Sequence, residues 1–174
     1  MRKTSHMIAL LLTVFLMQSC QAYNMDREYR SENISHVKEL VLNGRVSLPI
    51  PDKYEKVLVD EYSTIVVAPE YRVVYRWIEK EEIEFVGSNK SPYHFFKSAF
   101  DNPTSEEEKR FLEGVKSGGV QYESSGDIEF YYFGNNEGRQ LYILSQPLDF
   151  VVEVLYVGDG DQYMDSVLTH SKIQ

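Results

Sequence analysis

One cysteine, Cys20, and one tryptophan, Trp77, are all that the 174 residues hold of either type. A single thiol cannot close a disulfide within the chain, so the core has to hold by packing alone. Long apolar runs are scarce too. The longest, Met7 to Met17, has eleven residues with Thr13 inside it. As a helix it would rise about 16 Å, against the roughly 30 Å of a hydrocarbon slab, too short for a permanent spanning anchor. Positive charge is also short: 18 Lys and Arg stand against 27 Asp and Glu, a formal charge of −9. Such a surface repels phosphate backbones and anionic headgroups, so no nucleic-acid partner is expected.

The start of the chain carries the clearest signal. Met1-Arg2-Lys3, the apolar run and then Gln18-Ser19-Cys20-Gln21-Ala22 follow the charged, apolar and small-residue order of an export signal. Met17-Gln18-Ser19-Cys20 resembles the lipobox of bacterial prolipoproteins, in which the cysteine is acylated and becomes the first mature residue. Ser19 and Cys20 fit that pattern; Met17 and Gln18 depart from its usual Leu and small residue. A second cleavage, after Ala22, fits an ordinary signal peptidase and would leave a soluble periplasmic or secreted protein. Lipidation is the favoured reading because the sole cysteine falls where a lipobox places it.

The resemblance implies a lipid anchor at Cys20, with the membrane as a partner. One acyl chain binds only marginally, whereas several hold firmly. Gln21, standing where retained inner-membrane lipoproteins resemble a pattern with Asp, points to the inner leaflet of the outer membrane, facing the periplasm. Loss of Arg2 and Lys3 with the signal would move the formal charge from −9 to −11. The expected organisation is a signal peptide over 1–19, a lipidated start and flexible tether over 20–32, and one α+β domain over 33–174. The polar, aperiodic tether could reach about 40 Å if extended.

In the domain, Glu39 to Leu42, Asn43-Gly44 and Arg45 to Leu48 predict a two-residue β-hairpin, because Asn-Gly tolerates the positive φ of a type I′ turn. The alternative is a short helix from Ile34 with Gly44 as its C-cap. Tyr62–Val67 and Tyr71–Ile78 read as a strand pair about Ala68-Pro69-Glu70, and Ile83–Val86 as a further short strand. Ser91-Pro92 opens a helix through Phe100. Thr104 with Glu107 forms a capping box for a second helix, striped by Phe111, Leu112 and Val115 and stopped at Gly118-Gly119. Asp127–Phe133, Arg139–Ser145 and Leu148–Val157 make an antiparallel meander, and Asp161 caps a terminal helix to about His170. The whole predicts an α+β fold: an antiparallel sheet of six to seven strands, with helices on one or both faces and a C-terminal helix.

Leu48-Pro49-Ile50-Pro51 after the first hairpin, and the closing helix with its tail over Leu168–Ile173, give this order of elements a resemblance to small exported α/β/α proteins of the Mog1/PsbP-like kind. The resemblance lies in element order and implies no active site.

Motifs for chemistry are sparse. Ser35-His36-Val37-Lys38 has Ser-x-x-Lys spacing without the companion motifs of that mechanism. His36, His94 and His170 do not pair at helical metal-site spacing; His94 reads as half-buried packing and His170 as a complement to a helix C-terminus. Gly158-Asp159-Gly160-Asp161 with Asp165 offers weak oxygen ligands for calcium, but not in an EF-hand order, and an Asp-capped turn explains the same residues. Gly134 to Gly138 precedes a strand and reads as a hairpin loop. No catalytic residue and no cofactor is assigned.

Aromatic residues are the remaining feature. Tyr71, Tyr75, Trp77, Tyr131, Tyr132 and Tyr142 fall on strands, where Tyr and Trp suit both binding surfaces and sheet–helix packing. Tyr71, Tyr75 and Trp77, with Arg72 and Arg76 on the opposite face, form the candidate binding surface. The function expected is a periplasm-facing, non-enzymatic lipoprotein whose sheet or edge binds a protein or another envelope component. An immunity protein against a periplasmic toxin, an envelope hydrolase without a recognisable motif and a calcium module are the alternatives.

Overall fold

The computed structural model describes residues 39–51, 53–115, 119–135, 138–158 and 161–174. The signal, Cys20, the tether, Ser35, His36 and Lys38 lie outside the described residues. No helix among those described is long and apolar enough to cross a membrane.

The first hairpin joins β1 (Glu39–Leu42) to β2 (Val46–Pro49) in antiparallel register, Leu40 opposite Leu48. Asn43 and Gly44 take φ of 47° and 64°, the positive values that made the turn predictable. The loop is longer than predicted: Asn43, Gly44 and Arg45 lie between the paired Leu42 and Val46, and Arg45 N–H donates to Leu42 O at 3.0 Å. The last strand, β10 (Lys172–Ile173), lies on the other side of β2 and completes a three-stranded sheet. Its two residues and Gln174 N–H, which donates to Arg45 O at 2.8 Å, tie the C-terminus to the hairpin.

A second, seven-stranded sheet contains β3 (Lys56–Val59), β4 (Ser63–Val67), β5 (Tyr71–Ile78), β6 (Gln121–Ser125), β7 (Ile128–Asn135), β8 (Gly138–Leu144) and β9 (Val151–Gly158). Their spatial order is β3-β4-β5-β9-β8-β7-β6, antiparallel throughout. Between β5 and β6 come α1 (Lys80–Phe85), α2 (Pro92–Asp101) and α3 (Glu106–Val115); α4 (Asp161–His170) precedes β10. The fold is α+β, as the sequence predicts.

Strand alternation sends side chains into two separate cores. On one face Val66, Val73, Tyr75, Leu141, Val152 and Val154 pack under the small sheet (Leu42, Val46, Leu48) and α4 (Met164, Val167). On the other, Ile78, Tyr131, Phe133, Tyr142, Leu144 and Val151 pack under Ile83 of α1 and Phe95 and Phe96 of α2. Phe111 of α3 meets Phe95, Phe96, Phe100 and Tyr142 with ring centroids 5.0–6.0 Å apart, mostly edge to face. Each fully buried aliphatic or aromatic side chain contributes roughly 1.5–3 kcal/mol.

Three local readings are corrected. Ile83–Val86 does not form a strand, because α1 runs through Phe85. Glu81 and Glu82 in its first turn complement the helix dipole, Lys80 pairs with Glu84 one turn on at 3.0 Å, and Ile83 anchors the helix in the core. The capping box of α3 lies one residue later than predicted: Ser105 Oγ accepts from Glu108 N–H at 3.2 Å, and Glu108 Oε2 accepts from Ser105 N–H at 3.0 Å. Strands β3, β6 and β10 were not anticipated. Every residue of β6 is exposed, so no buried alternation marks it, and β10 is too short to show any.

The end of β9 requires glycine. Gly158 has φ of 132°, and a Cβ there would stand 2.4 Å from Glu70 O and 2.7 Å from Tyr71 Cα. Close passage of the β4–β5 turn therefore explains this residue of the Gly-Asp-Gly-Asp segment.

Candidate functional site

The aromatic ladder of β5 belongs to the core. Tyr75 is fully buried, with its hydroxyl hydrogen-bonded to Tyr163 of α4 and 3.2 Å from Pro49 O. Tyr163 donates to Pro49 O at 3.0 Å, which leaves Tyr75 as the donor between the two phenols. Burial pushes both phenols above their ordinary range. Tyr71 is half-buried, donates to Lys53 O and stacks on Tyr156, whose ring stacks in turn on Tyr163. Trp77 is half-buried against the same core. The small sheet and α4 cover this face, so Tyr75 is corrected from surface to core, and Tyr71 and Trp77 serve mainly its packing.

Arg76 and Arg72 are on the helix-bearing face but differ in environment. Arg76 pairs with Glu82 of α1 and lies 3.6 Å from Glu153. Burial disfavours its charge; the carboxylates of Glu153 and Glu82 outweigh that and hold it above its usual range. Glu153 also accepts from Tyr142 at 2.8 Å and from Gln140. Arg72 is exposed and makes no ion pair among the described residues.

Two further charge clusters lie on the helix side, neither of them foreseen. Glu108 is completely buried and accepts from Lys90 Nζ, Ser98 Oγ at 3.0 Å and Thr104 N–H at 2.7 Å as well as from its cap. Burial alone would raise its carboxyl; Lys90 and the N–H donors win and lower it to about 2. Lys97 contacts Glu129, pairs with Asp101 at 3.1 Å and donates to Tyr131 Oη at 3.2 Å. Burial works against its charge, but those acceptors hold the ammonium above its usual range. Burial and Asp101 likewise raise the Tyr131 phenol. Neither Lys97 nor Tyr131 is therefore poised as a base or nucleophile at neutral pH.

Between these clusters α2 borders an open cleft of about 550 Å³, lined in part by Lys90, Ser91, His94, Lys97 and Asp101. His94 is exposed here, which corrects the half-buried reading. Its Nδ1 lies 2.8 Å from Ser91 Oγ. That serine is the N-cap of α2 and also accepts from His94 N–H at 3.4 Å. No carboxylate orients the imidazole among the described residues, so the pair is a helix cap without the third member of a catalytic triad.

Asp159 and the side chain of Asp161 lie outside the described residues; Asp165 is exposed on α4. Among the described residues no three His, Cys, Asp or Glu come together as a metal site. His170 Nδ1 lies 3.1 Å from Ser166 O in the last turn of α4, the helix-end role expected of it.

Among the described residues, the helices cover only part of their face of the large sheet. Cross-strand pairing sets out a polar row, Ser63, Arg76, Glu153, Tyr142, Tyr131 and Tyr122, much of it beneath the helices. The next row runs Leu58, Ile65, Val74 and Leu155, and the one beyond it Lys56, Val67, Arg72 and Val157. None of these six aliphatic residues belongs to either core or packs against one. Val157 is 48% exposed and the other five are half-buried. The signal for this surface was present in Ile65-Val66-Val67 and Val73-Val74, where apolar residues occupy both strand faces. No protein-family model, curated protein or solved structure matches the chain.

Proposed function

We propose that the chain acts as a binding module, tethered by lipid at Cys20 and facing the periplasm, whose folded body engages a protein partner rather than catalysing a reaction. The observation that carries this reading is the half-face of the large sheet that no element among the described residues covers. Among the described residues, six aliphatic side chains on four strands lie outside both cores, Val157 exposed and the other five half-buried, and contiguous apolar surface outside a core marks interaction sites. The charge clusters support it from the other side. Lys90, Lys97 and Arg76 are each neutralised by carboxylates, leaving no activated nucleophile among them.

Affinity capture from detergent-solubilised envelopes tests the binding role. A stoichiometric protein partner is expected, and its repeated absence would refute the reading. Fractionation of Cys20→Ser tests the tether, since the variant should move from membrane to soluble fractions. Unchanged partition would remove the anchor from the proposal.

A further inference from the structure

The open half-face carries charge as well as apolar surface, and the two together indicate a type of partner. We infer that it receives an amphipathic helix of the partner protein whose aliphatic stripe is bordered by carboxylates; this rests on the binding-module reading.

Shape favours a helix. The row Leu58, Ile65, Val74 and Leu155 crosses four adjacent strands, about 14 Å at ~4.8 Å per strand, or between two and three helical turns. Immediately beside it, the same face is already covered by helices carrying the other core. A further helix would extend that layer across the strip.

Charge favours an acidic border. Lys56 and Arg72 are exposed on either side of Val67 in the outer row, and neither makes an ion pair among the described residues. In a chain of formal charge −9, this is a local positive edge along an apolar strip. The overall charge predicts a preference for basic ligands, whereas this edge predicts the opposite.

That opposition makes the test discriminating. Two fluorescent synthetic helices of the same leucine stripe, one bordered by glutamates and the other by lysines, are titrated by anisotropy against the purified full-length chain. The glutamate-bordered helix is expected to bind at least about tenfold more tightly. Arg72→Glu should erase that preference, and Val157→Asp should weaken both peptides. Both positions are exposed, and thermal melting verifies that the variants fold. Equal binding, preference for the lysine-bordered helix or indifference to Arg72→Glu would overturn the inference. So would a dimer in sedimentation that Val157→Asp disperses, since a second copy would then occupy the strip. Envelope capture separates the two failures. A stoichiometric partner retained by both variants would refute this surface and leave the binding role intact; no partner even for the wild type would refute the role itself.

Discussion

Ser105 and Glu108 cap α3 reciprocally, each side chain accepting the backbone N–H of the other residue, at 3.2 and 3.0 Å. The same carboxylate is sealed from solvent and receives the part-exposed Lys90, so a helix start and an ion pair share one group.

Glu108→Ala removes both at once. It strands Lys90, Ser98 Oγ and the N–H groups of Thr104 and Ser105 without their acceptor. Lys90 is 38% exposed and can turn to water, so the cost lies chiefly in the other donors left without an acceptor, about 1–3 kcal/mol. Urea denaturation should show a loss of that order, and Glu108→Gln a smaller one.

Acid should expose the same group. Its carboxyl falls from an ordinary 4.5 to about 2 on folding. A lowered folded-state value stabilises the protein above 4.5, and that contribution fades as pH drops towards 2. At ~1.4 kcal/mol per unit it is on the order of 3 kcal/mol. The urea midpoint should fall across this window, and more shallowly in Glu108→Gln; equal slopes would show that other carboxylates dominate.

Alkali acts through the tyrosines. Tyr142 is buried and Tyr163 half-buried, both held well above their ordinary 10, and Tyr131 is raised as well. Raised values stabilise the fold below pH 10, and the contribution is lost as pH rises beyond it. Phenolate absorbance should therefore show a group of tyrosines that ionise only on unfolding.

Ser91→Ala distinguishes a cap from a nucleophile. As a cap it should cost about 1 kcal/mol of stability and leave partner capture unchanged. Loss of capture without loss of stability would give Ser91 and His94 a functional role.

Gly158→Ala should destabilise by several kcal/mol, because both the positive φ and the approach of Glu70 O oppose a side chain. Thermal melting measures the loss, and a near-neutral result would mean that the β4–β5 turn yields easily.

Signals of local origin were the legible ones. Asn43-Gly44, Ser91-Pro92 and the alternation over Tyr71–Ile78 act through the backbone of a few neighbouring residues, and their elements form as read. Ile83–Val86 misled because four apolar and acidic residues satisfy either period, and only the docking of Ile83, on α1, into the core against the large sheet decides between them. The binding surface was misplaced for a related reason. Alternation separated Tyr75 from Arg72 correctly, but which face is covered depends on the small sheet and α4, far away in sequence. Glu108 and Lys90 stand eighteen residues apart, beyond any local pattern.

The bond from Gln174 to Arg45 brings the tail beside the opening hairpin. By strand spacing, residues 39 and 174 are separated by roughly 15 Å, which about six linker residues can bridge. The domain's connectivity is therefore open to rewiring: a circular permutant closed there and recut at the exposed Gly126-Asp127 turn should fold to the same architecture with its ends at the far edge of the large sheet.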